Sequence, residues 1–526
     1  MKKSKINIPL LIIITGILFS LYLLSQIPDE IYFSGDAGLK ALLAKQFSSG
    51  NLRFDLDLSV PSWVKNLWDS GLYPFEAPFA YKISHRYYIT FPFTFPLLTA
   101  PFYKVFGFRG LYVIPLVSTW IIWFIFYRLC HFFKLGIFMT SLALATLIFA
   151  APLSMYSAMY WEHTLAVCLA FSGLAIILIK GEEYFAPKYA VSSGVLIGLS
   201  VWFRPEFLAL VVILCLFVVI SFKINLEIFN IINHNKTIFI VSIILIILCF
   251  FSINKIIYNH PLGVHSLQIV EDFSPRTRLF NAQKYFSEMR DSLLYHFPII
   301  HFFVAFIVLS VFSDTIKLTK KMRQILLIGI LFIFIVPLLV PSDGGKQWSP
   351  RFLLLLIPLF NLLAILACNF TLSIKKFGFK YISSAIFAAL FIVGFHINTY
   401  LGTTSIYVGK SSETYEILNF LRIDSNKFVA VANQYVSQTF ESAFDEKIFF
   451  LTKKSDDVSQ LSQAIYQQGY QNFIYICPAY DSCFSAPKIP NKLDISTAEK
   501  PLHIQLTTVK KGKRYVIQEV AISQTE

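Results

Sequence analysis

The sequence predicts an all-α polytopic membrane domain followed by a small α/β domain outside the membrane. Three observations carry that expectation. Hydrophobic residues make up 56% of the 526 positions and charged residues only 14%, far from the balance of a soluble globular chain. About eleven apolar runs reach, or nearly reach, the length that crosses a bilayer. Beyond about Ser411 the runs stop, and short strand-like and helix-like stretches alternate.

In order, the runs are Ile8 to Ser25, Gly110 to Cys130, Gly136 to Pro152, Trp161 to Ile179, Tyr189 to Phe203, Phe207 to Phe222, Thr237 to Ile253, Leu294 to Phe312, Ile325 to Val340, Phe352 to Cys368 and Ile382 to Ile397. The start Met1-Lys2-Lys3-Ser4-Lys5 resembles a signal peptide, but no small-residue cleavage site follows, so Ile8 to Ser25 is read as an uncleaved first span. The net charge of +14 is not read as a nucleic-acid signal, because Lys and Arg fall mostly in short segments between apolar runs, as orientation signals do. The expected domains are 1–403 for the membrane part, with 26–109 as a large first loop, and 411–526 for the soluble part.

Two segments decide the parity of the spans. Phe91 to Gly107 is short and broken by Pro92, Pro96 and Pro101, so it is expected to lie along or dip into the membrane face and return to the side it left. Tyr189 to Phe222, as one helix, would run roughly 50 Å against a hydrocarbon core of about 30 Å. Two helices with a tight turn at Arg204-Pro205-Glu206 fit better. With eleven spans, the loops holding Arg128 and Lys134, Lys180 and Lys188, Lys317 to Arg323, and Lys375 to Lys380 join the N-terminal lysines inside. The first loop, the short loops near Tyr156 and Arg204, the segments 254–293 and 341–351, and the C-terminal tail then lie on the extracytoplasmic side.

In the tail, Phe428 to Ala432, Lys447 to Leu451 and Phe473 to Cys477 read as strands and Asp456 to Gln468 as an amphipathic helix. No glycine-rich phosphate loop is present, so a lid or acceptor-docking module is the expectation for this domain. Cys477 and Cys483 flank a polar stretch; a disulfide and a chance pair are both open.

The residues able to carry chemistry gather on the expected extracytoplasmic side. Asp36 lies in Ser34-Gly35-Asp36-Ala37-Gly38, where glycines let the backbone turn tightly and a substrate come close. Asp36 is also placed to cap a helix from Ala37 through Phe47, and one residue can do both. Glu162 and His163 open a span beside Tyr156, Tyr160 and Trp161; they read as an interfacial belt with a dipole-complementing acid, or as a pair that holds a cation or a hydroxyl nucleophile. Arg351, Lys346 and Arg204 stand at helix ends where positive charge opposes the usual bias; snorkelling explains a single one, and a cluster suits an anionic ligand such as a lipid phosphate. Lys82, His85 and Arg86 extend that basic lining or form a solvated surface.

The order of these elements resembles the GT-C superfamily of membrane glycosyltransferases, most nearly its protein mannosyltransferase-like (family 39) and aminoarabinose transferase-like members. The match rests on Ser34-Gly35-Asp36-Ala37-Gly38 after the first span, the proline-punctuated Phe91 to Gly107, Glu162, Arg204-Pro205, and Trp348-Ser349-Pro350-Arg351 opening a late helix. The resemblance implies a polyprenyl-phosphate-linked sugar donor, an acceptor bound at the extracytoplasmic face of a cell membrane, a bacterial inner membrane being the expected one, and inversion at the anomeric carbon. It gives Asp36 the role of base or of acceptor and metal ligand. Many members carry two adjacent acids in the first loop, whereas Ala37 follows Asp36 here, so a second carboxylate is sought in Glu162. No WWDYG-like signature occurs in the tail, which argues against transfer of a preassembled glycan to asparagine.

The expectation is therefore an integral membrane glycosyltransferase of hexosyl or pentosyl type, acting on a protein, lipid or glycan acceptor. Asp36, Glu162 and His163 are its catalytic candidates, and Arg351, Lys346, Arg204, Lys82 and Arg86 its donor-phosphate candidates. A divalent cation, Mg or Mn, is the one cofactor considered, at Asp36, Glu162 and His163. The rivals are a transporter or flippase and a polymerase or ligase of lipid-linked polysaccharide; charge-free span middles and polar span ends favour the interfacial enzyme.

Overall fold

All eleven apolar runs fall on helices: α1 (Ile8–Ser25), α5 (Val113–Phe132), α6 (Ile137–Phe149), α7 (His163–Lys180), α8 (Pro187–Phe203), α9 (Leu208–Lys223), α10 (Lys236–Tyr258), α12 (Ile299–Phe312), α13 (Lys320–Leu339), α14 (Leu356–Ser373) and α15 (Phe377–Phe395). The structure, a computed structural model, describes residues 7–181, 185–223, 227–264, 266–267, 274–313, 316–344, 348–374, 377–408, 411–479, 491–495 and 501–524. Among these, eight helical stretches are long and apolar enough to cross a membrane, or up to ten if each of two bent pairs is one span. At 17 residues, α8 stands just below that length. The chain is a polytopic membrane protein.

Backbone chemistry sets the breaks between these helices. Pro205 pushes the preceding residue out of the α region, so α8 ends at Phe203, Arg204 is extended (φ −141°, ψ 103°), and a 3-10 turn Pro205–Phe207 opens α9. The expected tight turn is therefore present. Gly194 and Gly198 of α8 let α10 approach closely: a Cβ at Gly194 would lie 2.8 Å from the Phe239 carbonyl oxygen, and one at Gly198 2.9 Å from the Ile246 side chain. Helix α11 (Pro275–His296) meets α12 at a 103° bend.

The chain divides into two units, 1–26 with 110–407, and 27–109 with 408–526. The sequence reading placed 26–109 with the membrane part; here residues 27–109 cluster with the C-terminal segment instead. The segment Thr94–Phe132 is helical almost throughout, interrupted by a 3-10 turn Gly107–Tyr112, and the unit boundary falls inside that turn.

The second unit holds α2 (Gly35–Ser48), α3 (Ser62–Leu67), α4 (Thr94–Phe106) and a hairpin of β1 (Ala80–Ile83) and β2 (Arg86–Ile89) from the first loop. Its C-terminal part holds α16 (Ser411–Ile423), β3 (Phe428–Val431), α17 (Gln434–Thr439), β4 (Ile448–Leu451), α18 (Ser455–Gln467), β5 (Asn472–Pro478), β6 (Lys492–Ile495), β7 (Leu502–Lys511) and β8 (Tyr515–Gln524). The strands form one sheet in the order β4-β3-β5-β8-β7-β6, with β4, β3 and β5 parallel and the others antiparallel. Every residue of β3 and β4 is buried, as befits parallel strands covered on both faces, whereas β7 alternates buried and exposed positions along much of its length. The three strands and the helix expected from the tail are all present, and β6 to β8 add a second half to the sheet. Cys477 is disulfide-bonded and lies on β5; Cys483 lies outside the described residues.

First-loop residues cover the edge strand β4. Trp68 Nε1 donates to the Phe449 carbonyl oxygen at 3.1 Å, and the Trp63 ring lies 5.4 Å from Phe428 and 6.4 Å from Phe450. Gln434 binds the loop reciprocally, accepting from the Glu76 backbone N–H at 3.0 Å and donating to the Ala77 carbonyl at 3.2 Å. These contacts sit just beyond the C-terminal end of β3, the side of a parallel sheet where α/β folds place ligands. Lys45 of α2 pairs with the fully buried Glu441 at 2.8 Å. Burial pushes the Glu441 carboxyl up, against the pull of Lys45.

Candidate functional site

In the first unit, three helix ends assemble a buried ion-pair triad. Glu162 immediately precedes α7, Glu206 lies in the turn that opens α9, and Arg204 closes α8. The macrodipole places each charge where it is favoured, acids at helix N-termini and the base at a C-terminus. Arg204 Nη1 donates to Glu162 Oε1 at 2.9 Å and Arg204 Nε to Glu206 Oε1 at 2.8 Å, and all three side chains are buried. Arg204→Met is expected to lower stability by about 3–5 kcal/mol, because it leaves two carboxylates buried without their cation. The fall would be read as a lower melting temperature of the purified protein in detergent, recovered in part by adding Glu162→Gln and Glu206→Gln.

Arg351 stands next to the triad. Its guanidinium lies 5.2 Å from the Trp161 ring centroid and 5.1 Å from that of Phe352, and Arg204 approaches the same Phe352 ring at 5.0 Å. One aromatic ring thus serves both cations. The His163 ring is buried beside Trp161 at 5.3 Å and Tyr156 and Phe352 at 6.3 Å each.

The backbone that leads to Arg351 is tied down from two sides. Tyr156 donates its hydroxyl to the carbonyls of Trp348 and Ser349. The Trp348 indole donates to Asn398 Oδ1 at 3.2 Å, and the Asn398 amide donates to the carbonyls of His296 at 2.7 Å, Gly394 at 3.0 Å and Ala150 at 3.2 Å. Asn398 sits in a π-helical turn, His396–Leu401, that continues α15. Ser349 takes a left-handed φ of 68°, and Gly344 lies where a Cβ would come 3.3 Å from Arg351 Cγ.

The structure therefore brings together Glu162, His163, Arg204 and Arg351, and adds Glu206, Phe352, Tyr156 and Asn398. Among these, Phe352 and Asn398 were not singled out from sequence; Asn398 lies in the mixed stretch His396–Leu401 just past the apolar run. Lys346 lies outside the described residues. Lys82 and Arg86 belong to the second unit, exposed on the β1–β2 hairpin, where Lys82 pairs with Asp69 at 2.7 Å. Positive φ at Ser84 (49°) and His85 (64°) closes that hairpin.

Asp36 also belongs to the second unit, in the first turn of α2 after Ser34, and is buried. Its flanking glycines serve close packing and not a tight turn: a Cβ at Gly35 would lie 2.2 Å from Gln438 Oε1, and one at Gly38 1.9 Å from the Gln438 carbonyl oxygen. They are helix positions against which α17 rests. Among the described residues no group of three or more His, Cys, Asp or Glu side chains gathers as metal ligands. Glu162 is engaged by Arg204.

No family model matches the sequence and no curated protein does. The structure is similar to ArnT from Cupriavidus metallidurans bound to undecaprenyl phosphate, with TM-score 0.56, 10% identity and 97% of each chain covered. It is also similar to the oligosaccharyltransferase of Archaeoglobus fulgidus tethered with an acceptor peptide containing the NVT sequon, with TM-score 0.51, 12% identity, and 90% of this chain and 69% of that chain covered. The same oligosaccharyltransferase in complex with Zn and sulfate matches with TM-score 0.50, 11% identity, and coverage of 89% and 68%. At such identities the likeness speaks for the fold alone, a helical membrane part with a C-terminal sheet domain.

Proposed function

We propose that the protein transfers a sugar from a polyprenyl-phosphate-linked donor to an acceptor hydroxyl at the extracytoplasmic face of the membrane, with inversion. The observation that carries this reading is Arg351, held on the rings of Trp161 and Phe352 beside a buried Glu162–Arg204–Glu206 triad. Stacking engages the faces of a guanidinium, while its five N–H donors lie in its plane and match the oxygens of a phosphate. Arg204 has its charge met by two carboxylates, so in this reading it positions Phe352 and Arg351 and Glu162 orients it in turn.

Asp36 accepts the proton of the acceptor hydroxyl as the oxygen attacks the anomeric carbon. The bond from that carbon to the phosphate oxygen breaks, and the lipid phosphate leaves with the electron pair, its charge stabilised by Arg351. Attack from the side opposite the leaving group inverts the anomeric centre. A poorly hydrated, preorganised cation does this with little reorganisation.

The test is incubation of membranes carrying the protein with labelled polyprenyl-phosphate sugars and candidate acceptors. Label should move to the acceptor with equimolar release of polyprenyl phosphate. Ligand uptake into proteoliposomes without any sugar transfer would overturn the reading in favour of a transporter.

A further inference from the structure

Within the second unit, the C-terminal segment holds α2 at two points. The first is steric. Gly35 and Gly38 form a notch filled by the last turn of α17: a Cβ at Gly35 would lie 2.2 Å from Gln438 Oε1, and one at Gly38 would lie 1.9 Å from the Gln438 carbonyl oxygen and 3.2 Å from Glu441 Cβ. The second is ionic. Lys45 Nζ meets Glu441 Oε1 at 2.8 Å and Asp445 Oδ2 at 3.6 Å, both acids belonging to the 3-10 turn Glu441–Asp445 that follows α17. Gly35, Gly38, Leu42 and Lys45 recur at spacings of three, four and three residues, so they share one stripe of α2 that runs about 15 Å along its axis. Contacts at both ends of one stripe fix a helix in rotation as well as in position. The clamp is itself anchored, because Gln434 at the start of α17 accepts from the Glu76 backbone N–H and donates to the Ala77 carbonyl.

Asp36 lies in the turn that forms the notch, about 100° round the helix from Gly35. Its side chain therefore points where the notch turns it. A general base works only within hydrogen-bond reach of the proton it takes, and a displacement of about 1 Å imposed from outside the reacting groups costs about 10²-fold in rate. The residues that build the clamp are not those that stability alone would choose. Gln438 and Glu441 are fully buried, and apolar side chains of similar size would pack in both places without desolvating an amide or a carboxylate. Buried polar contacts of this kind specify register more than they stabilise.

We propose that Gln438 and Glu441 are positioning residues for Asp36: by seating α17 in the Gly35–Gly38 notch and pairing with Lys45, the C-terminal domain sets the rotation of α2 and with it the direction of the acid. The domain is then a working part of the transfer site and not a lid over it. The bearing on catalysis rests on the transferase reading above; the clamp itself does not.

The test compares Gln438→Ala, which empties the notch, with Gln438→Met, which refills it without the amide, both in the full-length protein in nanodiscs. Sugar transfer gives kcat and KM, and hydrogen exchange at the backbone amides of Ala37 to Leu42 reports the first turns of α2. In Gln438→Ala, kcat is expected to fall by about 10–10²-fold with both KM values unchanged and exchange in α2 raised, and Gln438→Met is expected to restore both. In an Asp36→Asn background, Gln438→Ala should cost nothing further in kcat, because the group it directs is gone. Should Gln438→Ala fail to fold, Glu441→Gln, which loosens only the ionic point, is read in its place with the same outcomes. Wild-type kcat in Gln438→Ala, or the same fold loss with and without the Asp36 carboxylate, overturns the positioning role and leaves the transferase reading standing. Unchanged exchange in α2 overturns the clamp. Raised exchange in Gln438→Ala, with no transfer by the wild type from any polyprenyl-phosphate donor, supports the clamp and removes the transferase reading.

Discussion

Asp36→Asn is expected to lower sugar transfer by about 10²–10⁴-fold, the range over which a positioned general base contributes, while the protein still inserts and purifies. Asparagine keeps the volume and one acceptor oxygen but cannot take a proton at neutral pH. Asp36 lies buried in the first turn of α2, where losing a negative charge weakens the interaction with the helix dipole by up to about 2 kcal/mol. Gly35 and Gly38, which carry the packing of α17, are untouched. Transfer by detergent-purified protein, alongside its melting temperature, separates the two effects. Full activity in the variant would remove Asp36 from the chemistry and leave it as a first-turn helix residue.

Arg351→Ala should cost about 10²-fold or more in transfer rate, the usual loss when one preorganised donor to a developing oxyanion is removed. Two rings lie close to it, Tyr156 ties down the preceding backbone, Asn398 holds the Trp348 indole, and the triad holds its neighbour Arg204. Arg351→Lys is the sharper comparison, because it keeps the charge but loses the planar fork and the stacking. Activity near that of Ala identifies the bidentate geometry as the operative feature, and activity near wild type identifies charge alone. Loss of rate that tracks loss of folded protein, in both variants, would make Arg351 structural.

The sequence was informative wherever local chemistry decides structure. Apolar runs became helices, Pro205 broke the long Tyr189 to Phe222 run where a proline must, and the period-two and period-3.6 stretches after Ser411 became β3, β4, α18 and β5. Strands β7 and β8 were not anticipated. They are joined through a short turn and sustain each other by cross-strand pairing, a long-range effect that propensity reports weakly. The β1–β2 hairpin was hidden for a related reason, since its turn uses Ser84 and His85 with no glycine to announce it.

Of the candidate site, residue types at helix ends were legible and their partners were not. Glu162, Arg204 and Arg351 stand out in sequence because charge is rare beside apolar runs. That Arg204 is held by two acids, that Arg351 rests on Trp161, and that Asn398 anchors Trp348 depend on residues far apart in the chain. The glycines around Asp36 show the limit most clearly: composition suggested a turn open to substrate, and packing made them the contact face for Gln438.

By itself the sequence determined a polytopic membrane chain with a tail of mixed secondary structure, because hydropathy and backbone rules act over one turn or one span. The grouping of residues 27–109 with the C-terminal segment, the ion-pair triad and the packing of Gln438 on Gly35 and Gly38 were decided by tertiary structure. Desolvation and close packing are properties of side chains brought together from distant positions, and they exist only once the chain has folded.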